Sequence, residues 1–210
     1  MDFPSKTIVN VKVPKKSFYE NLTINTANKR VFIDQINAIW WRYKLTADAL
    51  GVADSDTINE IEVFEIELLT KDFDSSILRL IDKGIPYHTV FILTYEGESQ
   101  LWMAYKEKTC SDSLSVGSYY HTDWIQSESV DLIAEGISID EVYSNLFYTI
   151  SGLPKDFSKL LKEAISDYEQ NQKLEKEIAR MEKQLRKETQ PKKKFELYQQ
   201  IRKMKEGFEI

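Results

Sequence analysis

The chain has 210 residues, with 28 Lys plus Arg against 34 Asp plus Glu and a formal charge of −6. Its 42% apolar and 12% aromatic residues are enough for a core, which excludes wholesale disorder. The single cysteine, Cys110, excludes an internal disulfide and any cysteine-rich metal cluster.

The opening ten residues hold no apolar run of signal length, and no run approaches the ~20 residues needed to cross a bilayer. The sequence therefore predicts a cytoplasmic protein with no membrane contact. Asn21-Leu22-Thr23 fits the glycosylation triplet, which carries no meaning without a secretory signal.

Thr26 reads as the cap of a helix from Ala27 to about Ile39, with Phe32, Ile36 and Ile39 on one face. Thr46 reads as the cap of a short turn through Leu50. Ile58 to Leu69 is the strongest strand, but its alternation slips: Ile61 and Val63 are apolar at odd positions, Phe64, Ile66 and Leu68 at even ones. The slip predicts a β-bulge or a change in which face is covered. Asp74 to Lys83 reads as a helix stopped at Gly84 before Pro86. Tyr87–Tyr95 and Gln100–Lys106 form a hairpin about Glu96-Gly97-Glu98-Ser99, and Val116–Trp124 is a further strand. Ser138-Ile139-Asp140-Glu141 matches a capping box and starts a helix with Val142, Leu146 and Ile150 inward. This order predicts an α+β fold, a mainly antiparallel sheet with packed helices.

At Gly152-Leu153-Pro154 a helix stop meets a residue that cannot continue it. Residues 1–152 hold 13 basic and 23 acidic side chains, net −10; residues 153–210 hold 15 and 11, net +4. The expected organisation is a 1–152 acidic α+β domain and a 153–210 basic helical tail. In the tail, Phe157, Leu161, Ala164 and Tyr168, then Leu174, Ile178, Met181 and Leu185, follow helical spacing. Pro191 opens a second helix carrying Leu197 or Tyr198, Ile201, Met204 and Phe208. Pairing Leu185 with Phe195, Met181 with Tyr198, Ile178 with Ile201 and Asn171 with Phe208 gives one antiparallel register, favouring a C-terminal helical hairpin. A parallel coiled coil between copies, and with it a homo-oligomer, is the alternative.

Four clusters could carry chemistry. Glu62, Glu65 and Glu67, in the acidic strand 60–67, are oxygen ligands of the kind a metal-dependent nuclease uses; that reading needs all three within about 5 Å of one point. The bland alternative is a solvated strand face, and Glu67 stands where such a nuclease pattern has Lys. His88 and His121 lie in aromatic strand settings and could serve as bases or structural residues. Cys110 lies beside Lys108 and Asp112 with no identifiable base. Trp40-Trp41-Arg42-Tyr43-Lys44 interleaves rings with cations, although two adjacent Trp point opposite ways and at least one belongs to a core. Lys183, Arg186, Lys187, Lys192, Lys193 and Lys194 crowd the predicted turn of the tail, a contact surface for nucleic acid or an acidic partner, or a solubilising helix face. With seven Gly and no phosphate-binding loop, serine-nucleophile elbow or HExxH motif, the sequence predicts no cofactor and no metal.

Four segments carry a resemblance: Val13-Pro14-Lys15-Lys16 with Phe18-Tyr19, Glu60 through Ile66, Ile81 through His88, and Tyr119 through Trp124. With the Lys/Glu-rich end they make the chain similar to a bacterial family of domains of unknown function, DUF4391. The resemblance implies no activity, cofactor or catalytic residue. It implies a setting beside helicases and DNA methyltransferases of restriction-type or phage-defence loci, one of which would be a partner. The expected function is an accessory interaction module making protein or nucleic-acid contacts; a nuclease using the acidic strand is the alternative.

Overall fold

A computed structural model describes residue 1 and residues 3–21, 25–109, 114–156 and 158–206. Leu22 and Thr23 of the glycosylation triplet, Cys110 with Asp112, Phe157 and Phe208 lie outside the described residues. The chain divides into two compact units, Met1–Leu153 and Pro154–Ile210.

The first unit is built on a seven-stranded, mostly antiparallel sheet. Its elements run β1 (Ile8–Val13), α1 (Lys15–Asn21), α2 (Thr26–Asp34), β2 (Ile36–Leu45), α3 (Ala47–Leu50), β3 (Ile61–Leu68), α4 (Ser76–Lys83), β4 (His88–Tyr95), β5 (Glu98–Lys108), β6 (Leu114–His121), β7 (Ile125–Gln126) and α5 (Ile139–Ser151). The strand order is β1-β2-β3-β4-β5-β6, with β7 also pairing β5; only β3 and β4, joined through α4, are parallel.

Local signals decide several of these elements. Thr46 Oγ1 accepts the Ala49 N–H to start α3 (3.2 Å), and Ser138 Oγ accepts the Glu141 N–H while Glu141 accepts from Ile137, completing a cap on α5. Glu96 and Gly97 both take positive φ, +47° and +84°, as a two-residue turn between twisted strands requires.

Two expectations need correction. The helix expected from Ala27 to Ile39 ends at Asp34, and its cap is Asn25, whose Oδ1 accepts the Asn28 N–H at 2.8 Å. Ile36 and Ile39 instead belong to β2, buried between neighbouring strands; the spacing 32-36-39 fits a helix, but pairing with β1 and β3 overrides it. In β3 the phase slip has no bulge of its own, because its pairing to β4 runs unbroken from Ile61 to Glu67. The bulge sits opposite, in β2, where the register steps between Trp41 and Tyr43. Strand β3 is apolar in both phases because it is central and covered on both faces at its N-terminal half.

One face carries Phe32, Ile36, Ile39, Phe64, Ile66, Leu78, Ile81, Phe91 and Leu93, packed under α2 and α4. By strand alternation Ile61, Val63, His88, Val90 and Ile92 face the other way, toward α5 with its buried Val142, Tyr143, Leu146, Phe147 and Ile150.

The second unit pairs α6 (Leu161–Lys187) with α7 (Pro191–Glu206). Met181 and Ile201 are buried, Leu197 and Met204 half-buried, and Lys205 reaches Glu182 at 2.8 Å across the two helices. Phe195 and Tyr198 are exposed. Leu197 rather than Tyr198 continues the apolar stripe. Among the described residues no helix is long and apolar enough to cross a membrane.

Candidate functional site

The acidic strand divides its carboxylates between the two faces of the sheet. Glu62 faces the α4 layer, whereas Glu65 and Glu67 face the opposite side and are already engaged. Arg42 Nε donates to Glu65 at 2.8 Å; Trp40 Nε1 and Asn37 Nδ2 donate to Glu67 at 2.8 and 3.0 Å. Both border an open groove of about 440 Å³ with Thr94, Tyr95, Ser127 and Val130. The structure does not bring Glu62, Glu65 and Glu67 together, and among the described residues no three His, Cys, Asp or Glu side chains form a group able to hold a metal ion.

Glu62 belongs to a buried ionic cluster that no local feature of the sequence announces. Lys106 on β5 and Asp82 on α4 form a fully buried ion pair, Nζ to Oδ1 2.6 Å. Tyr119 donates to Asp82 Oδ2 at 2.7 Å, Thr89 donates to Oδ1, and Lys106 also donates to the Tyr87 carbonyl. Burial lowers the Lys106 ammonium from its usual range while Asp82 opposes the shift. Burial, reinforced by Asp82, raises Tyr119. Beside this pair, Lys44 Nζ lies 2.6 Å from Glu60 Oε2, leaving Glu60 Oε1 buried with no donor among the described residues. Glu62 hydrogen-bonds Glu60, which requires a proton on one of the two carboxyls; burial, then Glu60, pushes Glu62 up to about 8.

The two histidines stay apart. His88 is buried on the α5 side, its ring 4.6 Å from that of Tyr143, and burial followed by the Lys106 charge lowers it to about 4. His121 stacks on Trp102 at 4.2 Å, toward the α4 side. The tryptophan pair splits as adjacent strand residues must: Trp41 stacks on Phe64 in the core, while Trp40 lies on the opposite face between Arg42 (4.7 Å) and Lys12 (5.5 Å).

These environments make a signed prediction. Raised in the fold, Glu62 holds its proton there and loses it as pH climbs toward 8, so its contribution to stability falls across that range. Neutral when folded, His88 acts oppositely, its contribution rising between about 4 and 6.5. Above 6.5 only the first operates. The urea midpoint is expected to fall from pH 6.5 to 8, by no more than the one-proton ceiling of about 1.4 kcal/mol per pH unit. Glu62→Gln, whose amide still donates to Glu60, should flatten that limb; an unchanged limb in the variant would assign it elsewhere.

The remaining candidate is the tip of the helical pair. Lys183, Arg186 and Lys187 end α6, and Lys192, Lys193 and Lys194 begin α7; all six are exposed. None forms a side-chain hydrogen bond or ion pair among the described residues. Three other cations of the same unit are paired, Lys159 with Asp167, Arg202 with Glu206 at 2.6 Å and Lys205 with Glu182 at 2.8 Å, while Lys173, Lys176, Arg180 and Lys203 are exposed like the tip residues. No acid occupies the first turn of α7, so three ammonium groups crowd the positive end of the helix dipole. That local charge is unfavourable in isolation and complementary to an anion.

A family model described as Domain of unknown function (DUF4391) matches residues 1–207. The chain belongs to this family. No curated protein and no solved structure matches it. Three of the four segments that carry the DUF4391 likeness converge in space: Glu60 and Glu62, Asp82 with Tyr87, and Tyr119 all enter the ionic cluster around Lys106. The donors of that cluster meet acceptors, Lys106, Tyr119 and Thr89 on Asp82 and Lys44 on Glu60, which is the arrangement of a structural keystone.

Proposed function

We propose that the chain is an accessory interaction module of the cytoplasm whose helical pair holds a polyanion, the phosphate backbone of a nucleic acid, on its basic tip. The observation that carries the reading is the set of six exposed cations brought together at the α6–α7 turn, none in an ion pair among the described residues, with no acid in the first turn of α7. Phosphate contacts by Lys and Arg release condensed counterions, which supplies affinity without base-specific hydrogen bonds. The net charge of −10 on residues 1–152 keeps the rest of the molecule away from the same polyanion and leaves the tip as the contact. A helicase or DNA methyltransferase, the partner class that the family likeness implies, works on this polymer, and a complex with one of them belongs to the proposal.

Titration of labelled single- and double-stranded DNA with the full chain at 50 and 200 mM salt tests it. Binding at the lower salt that weakens steeply at the higher is expected. If all six cations meet phosphates of a single strand, the slope of log K against log salt is about −4, a loss of a few hundredfold over that interval. Absence of binding at 50 mM salt, or binding indifferent to salt, overturns the proposal.

A further inference from the structure

Six cations explain attraction to phosphate but not the two rings beside them. The apolar residues of α7 that face α6 are Leu197, Ile201 and Met204. Phe195 and Tyr198 lie off that stripe and remain 63% and 54% exposed, although Phe195 directly follows the lysine run. Three residues apart on a helix, they are surface neighbours about 5–6 Å apart at Cβ. Tyr198 also borders a groove of about 360 Å³, lined with it by Leu185, Ile201, Arg202 and Lys205. Two uncovered aromatic faces beside unpaired cations reproduce the chemistry of a single-strand platform, where rings stack on bases and cations track the backbone. A duplex offers these rings nothing comparable, since its bases are stacked on one another and show only their edges in the grooves.

We infer that the polyanion is a single-stranded nucleic acid, and that Phe195 and Tyr198 are stacking residues for two of its bases. The inference rests on the proposed polyanion contact of the tip and names its substrate class.

The test compares the full chain with the Phe195→Ala/Tyr198→Ala and Phe195→Leu/Tyr198→Leu variants, using an oligo-dT strand and a duplex of equal length at several salt concentrations. Both positions are exposed, so helicity by circular dichroism should be unchanged, and the Leu pair keeps apolar bulk without a ring. The native chain is expected to prefer the single strand. Both variants should lose about 30-fold or more on it, with an unaltered salt slope and no change on the duplex, as two lost base stacks predict. Equal binding of strand and duplex, unaffected by either variant, overturns this inference and leaves the phosphate contact standing. A dimer in light scattering that dissociates in both variants assigns the rings to a second copy of the chain and likewise overturns it. No binding of either nucleic acid at 50 mM salt removes both readings together.

Discussion

Replacing Asp82 by Ala is expected to destabilise the 1–153 unit by about 3–5 kcal/mol, on the order of 10 °C in melting temperature. The carboxylate has no exposure and accepts from three groups at once: Lys106 at 2.6 Å, Tyr119 at 2.7 Å and Thr89. Its removal leaves an ammonium in a site water does not reach. The carbonyls of Tyr87, Asp82 and Ile85 still face that ammonium, but they carry no compensating charge. Burial already lowers Lys106, and without Asp82 it falls further, so the folded variant would bind its proton less tightly than the unfolded chain. Such a group gives up stability as pH falls; the urea midpoint of Asp82→Ala should therefore rise toward pH 10, a trend that a simple cavity would not produce. Lys106→Met alone strands the carboxylate instead. The double variant Asp82→Leu/Lys106→Met should lie closer to the native protein than either single change, because a buried pair replaced by apolar residues of similar volume is often neutral. A double variant as unstable as the two single losses combined would mean that the pair is not an energetic unit.

What could be read from the sequence follows the range of the forces involved. Signals confined to a few residues were legible: the Ser138–Glu141 cap, the Thr46 cap, the Glu96-Gly97 turn and Pro191 at the head of α7 all act within one turn of chain. Strand β2 was not, because Ile36 and Ile39 are three apart and fit a helix face as well as they fit a bulged strand; only the neighbours β1 and β3 decide. The doubled apolar phase of β3 was visible, but its cause, cover on both faces of a central strand, is supplied by elements elsewhere in the chain. Lys106 is the extreme case. In Tyr105-Lys106-Glu107-Lys108 nothing local separates it from exposed Lys108, and its counter-ion is 24 residues away on α4. The six cations of the tip were legible by composition, since helix periodicity puts them around one turn. The surface position of Phe195 was not, because a register argument on α6 and α7 treats any apolar residue as interface. The stripe formed by Leu197, Ile201 and Met204 contains the signal that would have excluded it.

Converting Lys183, Arg186, Lys187, Lys192, Lys193 and Lys194 together to Gln should abolish measurable binding to nucleic acid at 50 mM salt. Each cation removed takes away about 0.7 of the salt slope on a single strand, so single variants should each flatten it by that amount and the sextuple variant should leave it near zero. Loss of structure cannot supply the same result. Gln is close to Lys in helix propensity, and three neutral residues at the start of α7 relieve like charges that now face the positive end of the dipole, at up to about 1 kcal/mol each. Helicity and thermal stability of the 154–210 unit should therefore hold or rise while binding disappears. A matched control separates a site from mere net charge. Lys159→Gln/Arg202→Gln/Lys205→Gln removes three cations from the same unit, but each is paired with a carboxylate, Lys159 with Asp167, Arg202 with Glu206 and Lys205 with Glu182. If the tip is the contact, this triple variant keeps most of the affinity, whereas Lys192→Gln/Lys193→Gln/Lys194→Gln, with the same change in net charge, loses about half the slope. Equal losses from the two triples would show that attraction depends on total charge alone and would dissolve the case for a site at the α6–α7 turn.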